Sequence, residues 1–105
     1  MAALLGIDIG TSSTKGVLTS HDGRVLAQAD RPHEVSRPQP GWAEHDAEAV
    51  WWGEFCSLCR ELAPQSDEPV VAVGVSGVGP AFLAADAHGD PLRPALLYGI
   101  DSRAM

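Results

Sequence analysis

The stretch GIDIGTSSTKG, residues 6–16, decides the fold of this chain. The apolar run at residues 3–9 is typical of a short buried strand, and Asp8 stands just before its end. Gly10 then allows a tight turn or the close approach of a ligand to the backbone. Residues 15–20 resume a strand pattern, so the stretch predicts two strands joined by a turn of small residues.

The small residues of this turn suit the binding of an anion. Thr11, Ser12 and Ser13 supply hydroxyl groups, and successive backbone N–H groups in such a turn form an anion-binding concavity. Lys15 adds a positive charge within reach of a phosphate, and Asp8 can hold Mg²⁺ directly or through water. The stretch lacks the spacing of a Walker A loop and of a dinucleotide fingerprint. A plain hairpin turn capped by an aspartate is the alternative interpretation.

The next residues extend the two strands into a meander. HDGR, residues 21–24, contains an Asp-Gly pair, which is a strong hairpin signal. A third strand follows at residues 25–30, so the first thirty residues predict three antiparallel strands joined by tight turns. Three prolines then make residues 31–42 an extended connection.

A single helix and a strongly apolar strand come next. Residues 47–62 have helical spacing, with Asp46 as a suitable N-cap and Pro64 as the residue that ends the helix. The run VVAVGV, residues 70–75, predicts a central parallel strand that is buried on both faces. Shorter apolar segments follow at residues 81–85 and 92–98.

Composition excludes several classes of function. The chain has 105 residues, 14 of them acidic and 7 basic, for a formal charge of −7. Such a chain is a poor match for nucleic acid or an anionic membrane, which require clustered Lys and Arg. No segment approaches membrane-spanning length, and MAALLGI lacks the basic residues of a secretory signal. We therefore expect a cytoplasmic protein.

Cysteines, tryptophans and histidines favour structural interpretations. Cys56 and Cys59, in CSLC, could form a redox pair or half a zinc site, but thiols that pack on a helix are the favoured interpretation. We expect Trp42 to anchor the proline-rich connection, and Trp51 and Trp52 to pack on the helix. The four histidines are expected to be solvated loop residues: His21, His33, His45 and His88.

Five segments in order carry a resemblance to a known family. They are DIGTSSTKGVL, HDGRVLA, RPQPGWAEHDAEAVWW, VGVSG and DAHGDPLRPALLYGIDSRA. Their succession, from about Leu5 to Ala104, closely resembles the amino-terminal domain of the FGGY family of carbohydrate kinases, especially its xylulokinase-like members. The resemblance implies that residues 1–105 form part of an α/β, ribonuclease-H-like (actin-like ATPase) domain. Its mixed sheet would contain a three-stranded antiparallel meander, one crossover helix and a central strand.

The resemblance also implies an activity and a set of site residues. Family members transfer the γ-phosphoryl of Mg-ATP to a sugar or polyol, with an aspartate base that lies downstream of this chain. The implied metal residue is Asp8. The implied phosphate-binding residues are Gly10, Thr11, Ser12, Ser13 and Lys15, and the implied substrate-binding residues are Gly77, Val78, Gly79, Pro80, Tyr98, Asp101 and Arg103.

The substrate segment departs from the family pattern. Xylulokinases usually have Gln-Met-His where this chain has Val78, Gly79 and Pro80, and the Arg-Glu pair of glycerol kinases is also absent. We therefore do not expect D-xylulose or glycerol as the specific substrate. Tyr98 stands where the family has tryptophan, while Asp101 and Arg103 match. A surface salt bridge is the alternative interpretation of these two charges.

Two other functions compete with that of a sugar kinase. A truncated, inactive remnant or interaction module would keep the same fold, and so would another actin-like ATPase such as a chaperone. The chain resembles only the first fifth to quarter of a complete kinase. We expect an end at Met105 to leave a sheet edge and apolar surface uncovered. The expected result is marginal stability or self-association into a homo-oligomer.

Overall fold

The computed structural model describes residues 2–104, in which seven strands and one α-helix alternate with short connections. In chain order the elements are β1 (Ala3–Ile9), β2 (Ser13–Ser20), β3 (Val25–Pro32), β4 (Glu44–His45), a π-helical segment (Ala47–Trp52), α1 (Gly53–Leu62), a 3-10 turn (Ala63–Gln65), β5 (Val70–Gly77), β6 (Ala81–Phe82) and β7 (Ala95–Leu97). The main sheet has the order β3-β2-β1-β5, and β4, β7 and β6 form a second, smaller sheet. The chain is therefore α/β, as predicted.

The three-stranded meander is confirmed in type and order. β1 pairs antiparallel with β2, and β2 with β3, while β5 runs parallel to β1. Alternate residues of β1 are buried, which is the period expected when one face of a sheet is covered. That covered face carries Leu5 directly opposite Leu18 and Ile7 opposite Gly16.

Helix α1 covers this face of the meander. Leu58 and Leu62 are fully buried against it, and each such leucine contributes roughly 1.5–3 kcal/mol of hydrophobic free energy. Gly16 is required beneath them, because a Cβ at that position would lie 2.7 Å from Leu62 Cδ1. The helix therefore rests directly on the backbone of β2.

The predicted helix is present, but its first part is wider than an α-helix. The Asp46 carboxylate accepts a hydrogen bond from the amide of Ala49 at 2.9 Å, so the predicted N-cap is confirmed. Residues Ala47–Trp52 are π-helical, and the α-helix proper occupies Gly53–Leu62. Pro64 lies in the 3-10 turn that ends it.

The prediction that residues 70–75 form a central strand buried on both faces is wrong for the part of the chain that the structure describes. β5 lies at the end of the sheet order, and its valines 71, 73 and 75 are 62%, 44% and 59% exposed. The apolar pattern of a strand shows what it can bury, whereas burial itself depends on neighbours. Here α1 contacts β1, β2 and β3, while β5 has only β1 beside it.

Cysteines and tryptophans mostly pack as expected. Cys59 packs against the core and burial raises the pKa of its thiol, so the interpretation as a packing thiol is confirmed for Cys59. The Arg103 guanidinium lies 3.9 Å from the ring centre of Trp42. Trp52 stacks on Phe55 of α1 as predicted, although 57% of the residue is exposed. Within residues 2–104, no helix has the length and apolarity to cross a lipid bilayer.

Candidate functional site

The two predicted halves of the site lie at the same edge of the main sheet. β1 and β5 are parallel neighbours, with Ile9 opposite Gly77 at their carboxyl ends. The amide of Val78 donates to the Ile9 carbonyl at 2.6 Å, which joins the two strands where their connections leave the sheet. The turn at residues 10–13 and the segment at residues 77–80 therefore begin side by side, at the edge where open α/β sheets bind ligands.

The turn between β1 and β2 is tight and closed by its own backbone. The Gly10 amide donates to the Ser13 carbonyl at 2.9 Å. A Cβ at Gly10 would lie 2.9 Å from that same oxygen, so the turn requires glycine there. Among the described residues, none accepts a hydrogen bond from the amides of Thr11 and Ser12. These two donors are therefore available to a ligand.

His33 and His45 hold three successive backbone carbonyls of this turn by hydrogen bonds. The His33 ring binds the Gly10 carbonyl through Nε2 at 2.9 Å, and the His45 ring binds the Thr11 carbonyl through Nε2 at 3.0 Å. The backbone amide of His33 donates to the Ser12 carbonyl at 2.9 Å. The turn is thus held by residues 23 and 34 positions away along the chain.

Further polar contacts hold both histidine rings. His33 Nδ1 lies 2.8 Å from the Glu54 carboxylate, which also accepts a hydrogen bond from the buried Thr14 hydroxyl at 2.7 Å. The Trp51 indole N–H donates to His45 Nδ1 at 3.1 Å. Burial lowers the pKa of His45, and the neighbouring His33 ring lowers it further.

The prediction that the histidines are solvated loop residues is therefore wrong for two of the four. Only 1% of His45 and 5% of the His33 side chain are exposed, whereas His21 and His88 are exposed as predicted. Sequence reasoning also missed the part played by Glu54. Its partners are distant in sequence, so no local pattern could have revealed them.

Charged groups line the uncovered face of the sheet beside the turn. Asp8 and Lys15 are directly opposite each other on β1 and β2, and both are exposed. The Ser76 hydroxyl donates to the Asp8 carboxylate at 2.9 Å. With Gly6 and Gly74 they line a groove of about 510 Å³.

The donor set around Asp8 fits Mg²⁺ in the form that kinases use. Residues 2–104 contain no cluster of three or more His, Cys, Asp or Glu side chains that could enclose a metal ion. Mg²⁺ at phosphate-transfer sites commonly has only one or two protein carboxylates, because phosphate oxygens and water supply the remaining ligands. One exposed carboxylate next to a hydroxyl, beside a turn with two unpaired amides among residues 2–104, is compatible with that requirement.

On the substrate side, four of the seven predicted residues share one groove. Pro80, Tyr98, Asp101 and Arg103 line a cavity of about 300 Å³ with Phe82 and neighbouring residues. The Tyr98 ring is 75% exposed and is thus free to contact a ligand. The remaining three residues, Gly77, Val78 and Gly79, do not line this groove and lie at the end of β5.

The charges of the substrate side are bound to one another. Arg103 lies 2.7 Å from both Asp101 and Glu44, and the hydrogen bonds that it donates to Asp101 hold the pKa of that carboxyl below its usual range. The amide of Ala43 donates to the same carboxylate at 2.7 Å. Arg93 adds a second cation at 2.8 Å from Glu44. A sugar hydroxyl would have to displace one of these contacts to reach Asp101.

Comparison with known proteins adds a family to this geometry. The family model described as "FGGY family of carbohydrate kinases, N-terminal domain" matches residues 3–105. Xylulose kinase of Escherichia coli is 38% identical over 95 residues, which are 90% of this chain and 19% of the relative. Glycerol kinase of Nocardia farcinica is 36% identical over 95 residues, which are 88% of this chain and 19% of the relative.

The solved structure of xylulose kinase from Rhodospirillum rubrum superimposes with a TM-score of 0.86 at 38% identity. The match covers 96% of this chain and 21% of that one. The chain therefore spans about a fifth of the length of the relatives that it matches.

Proposed function

The chain belongs to the FGGY family of carbohydrate kinases, and on this basis we propose that it contributes the phosphate-binding part, and some of the acceptor part, of a sugar kinase site. The reaction would be transfer of the γ-phosphoryl group of ATP to a hydroxyl of a sugar or polyol. The observation that carries this proposal is the open turn beside Asp8. It presents two amides that have no acceptor among residues 2–104 and three hydroxyl residues at the carboxyl end of β1, with Lys15 opposite Asp8 on β2.

The residues of the turn would bind and orient the phosphates. Thr11 and Ser12 would donate backbone N–H groups to phosphate oxygens, and their hydroxyls and that of Ser13 would add further donors. The Lys15 ammonium would balance negative charge as a point charge. Positioning and electrostatic stabilisation are the main requirements of phosphoryl transfer, and this turn supplies both.

Asp8 would hold the metal ion that accompanies ATP. Mg²⁺, when bound, neutralises charge that develops on the phosphate oxygens. The hydrogen bond from the Ser76 hydroxyl fixes the orientation of the Asp8 carboxylate. The second oxygen of that carboxylate is left for a metal ion or its water.

The acceptor would lie in the groove that contains Tyr98 and Pro80. An exposed aromatic ring can pack on the apolar face of a sugar. Backbone groups of Gly77, Val78 and Gly79 would provide polar contacts, because these residues lack the polar side chains of the family pattern. Asp101 and Arg103 would border the acceptor and hold its segment in place. The base that deprotonates the hydroxyl, and the adenine site, would come from parts of the kinase beyond this fifth.

The proposal is tested by a phosphorylation assay on the native gene product that carries this chain. Mg-ATP would be supplied with a panel of pentuloses, hexuloses, aldonates and polyols, and release of ADP would be measured. We expect one acceptor class to stimulate ADP release. Asp8→Asn should lower kcat by about a hundredfold or more, since metal coordination is worth several kcal/mol in the transition state.

The same assay separates the kinase from an inactive remnant of the fold. The remnant would neither phosphorylate any acceptor nor bind Mg-ATP in a calorimeter. Glu34→Gln is a suitable control, because it removes an exposed carboxylate from the proline-rich connection rather than from the turn. A loss of activity in this control equal to that of Asp8→Asn would contradict the role of Asp8.

A further inference from the structure

We propose that His33 and His45 are positioning residues that aim the amides of the phosphate turn through its carbonyl groups. The inference rests on the function proposed above and extends it to side chains that no phosphate would touch. Its basis is the juxtaposition of two buried rings with the carbonyls of Gly10 and Thr11.

The geometry of the peptide unit connects the two sides of the turn. In a planar trans peptide, the C=O of one residue and the N–H of the next point in opposite directions. A ring that holds the Gly10 carbonyl therefore directs the Thr11 amide away from itself. In the same way, a ring that holds the Thr11 carbonyl directs the amide of Ser12. These are the two amides of the turn that have no acceptor among residues 2–104.

Each ring is fixed by a second contact on its other nitrogen. The Trp51 indole can only donate, so His45 Nδ1 must accept, and the proton of the neutral ring lies on Nε2, facing the Thr11 carbonyl. His33 lies between a carbonyl and the Glu54 carboxylate, both of which accept hydrogen bonds.

Burial makes the two contacts specific. Both side chains are almost completely excluded from solvent, and the rings meet edge to face with their centres 4.8 Å apart. A ring that rotated would leave a carbonyl of the turn without its donor, which is unfavourable where little water can replace it. The orientation of the turn is therefore set before a ligand arrives, as preorganised binding of an anion requires.

The two nitrogens of each ring can be tested separately. Glutamine places its amide nitrogen near the position of Nε2, so His33→Gln and His45→Gln retain a donor for the turn carbonyl. Asparagine places its amide near Nδ1. His33→Asn and His45→Asn therefore retain the contact with Glu54 or Trp51 and lose the hydrogen bond to the turn carbonyl. A merely structural network would respond similarly to both substitutions.

The measurement is calorimetric binding of Mg-tripolyphosphate to the native gene product that carries this chain, with its melting temperature measured in parallel. We expect the asparagine variants to bind about tenfold more weakly than wild type, and the glutamine variants within about threefold of it. Two matched controls accompany them. His88→Gln changes an exposed histidine, and Leu62→Val lowers stability by removing a buried methylene from the helix-sheet core without touching a contact of the turn, so neither should alter the affinity.

The possible results can be distinguished from one another. Equal affinities for the glutamine and asparagine variants would overturn the positioning role while leaving the proposed function intact. Failure of the wild-type chain to bind would overturn the proposed function, and the positioning role with it.

If an asparagine variant does not fold, amide resonances of the wild-type chain decide the question. We expect Thr11 and Ser12 to show the largest shifts on addition of Mg-tripolyphosphate, with the proton of His45 still on Nε2. Largest shifts at other amides would overturn the proposal.

Discussion

The two sides of the site use their polar residues in opposite ways. On the side proposed to bind phosphate (the phosphate side, residues 8–15), buried side chains bind backbone carbonyls, while the charged groups Asp8 and Lys15 stay open to solvent. On the side proposed to bind the acceptor (the acceptor side, residues 77–80 and 98–103), the charged groups bind one another, and an aromatic residue, Tyr98, is left open. The first arrangement offers charge to a ligand, whereas the second uses its charge to hold a segment of chain in place. If this side binds the acceptor as proposed, its specificity would come from shape and backbone groups, or from other parts of the kinase.

Removal of Arg103 should have the largest effect on stability, because Arg103 pairs with the carboxylates of both Asp101 and Glu44. Arg103→Met would leave two largely buried carboxylates, Asp101 and Glu44, without their shared cation. We expect the greatest fall in melting temperature among the variants compared here, measured by circular dichroism. Arg93→Met is the matched control, since Arg93 binds the same Glu44 but its side chain is 40% exposed. An equal fall for both arginines would contradict a central role for Arg103.

Substitution of Gly41 should have the next largest effect on stability, because it distorts the connection that leads to the acceptor side. Gly41 has φ = +82°, and a Cβ there would lie 2.7 Å from Ser102 Oγ. Gly23 has φ = +89° with nothing near its Cβ, so it isolates the cost of the backbone conformation. We expect Gly23→Ala to cost about 1 kcal/mol in urea unfolding and Gly41→Ala about 2 kcal/mol. Equal losses would show that the contact with Ser102 carries no weight.

On the phosphate side, a modest pH dependence is expected from His45. Its folded pKa is lowered by burial from the ordinary value of 6.5, so the unfolded chain takes up a proton first as the pH falls. Stability should therefore decrease below about pH 6.5, by at most about 1.4 kcal/mol per pH unit for this one group.

The measurement for His45 is urea unfolding of wild type and His45→Gln at pH 7.5 and 5.5. The wild-type chain should lose more stability between these two values than the variant does. Identical pH profiles would show that His45 is not responsible, and ring resonances of the wild type would then identify the histidine that is.

The smallest effect on stability is expected from Asp8→Asn. Asp8 is exposed, and an asparagine can still accept the hydrogen bond from the Ser76 hydroxyl, so the free energy of unfolding should change by less than about 0.5 kcal/mol. Asp101→Asn should instead lower stability, because it weakens the pair with Arg103. Comparable losses of unfolding free energy in the two variants would contradict the distinction between the exposed carboxylate of Asp8 and the carboxylate of Asp101, which is paired with Arg103.

Local sequence patterns were sufficient to predict the strands of the meander and the helix. They were insufficient to predict which elements pack against each of them. The Asp-Gly turn, the alternation in β1 and the Asp46 cap each act within a few residues, and they predicted the meander and the helix. The exposure of β5 was missed because an apolar run does not specify which neighbours cover it. The turn at residues 10–13 was recognised from its own small residues.

The contacts that support the turn could not be predicted in the same way. His33 and His45 stand in connections, where histidines are most often solvated, and only the folded chain brings them to the carbonyls of the turn. The ion pairs of Arg103 show the same limit, since Glu44 is 59 positions away. Whether the predicted substrate residues bind an acceptor stays a prediction.

The two-residue strand β4 connects the phosphate side with the acceptor side. Its adjacent side chains point in opposite directions, with Glu44 bound to Arg103 and His45 bound to the Thr11 carbonyl. A displacement of the β4 backbone would therefore move the contact with Arg103 and the contact with the turn at the same time. Thermodynamic linkage makes such a connection reciprocal: a ligand that shifts β4 from one side changes affinity on the other by the same free energy in either direction.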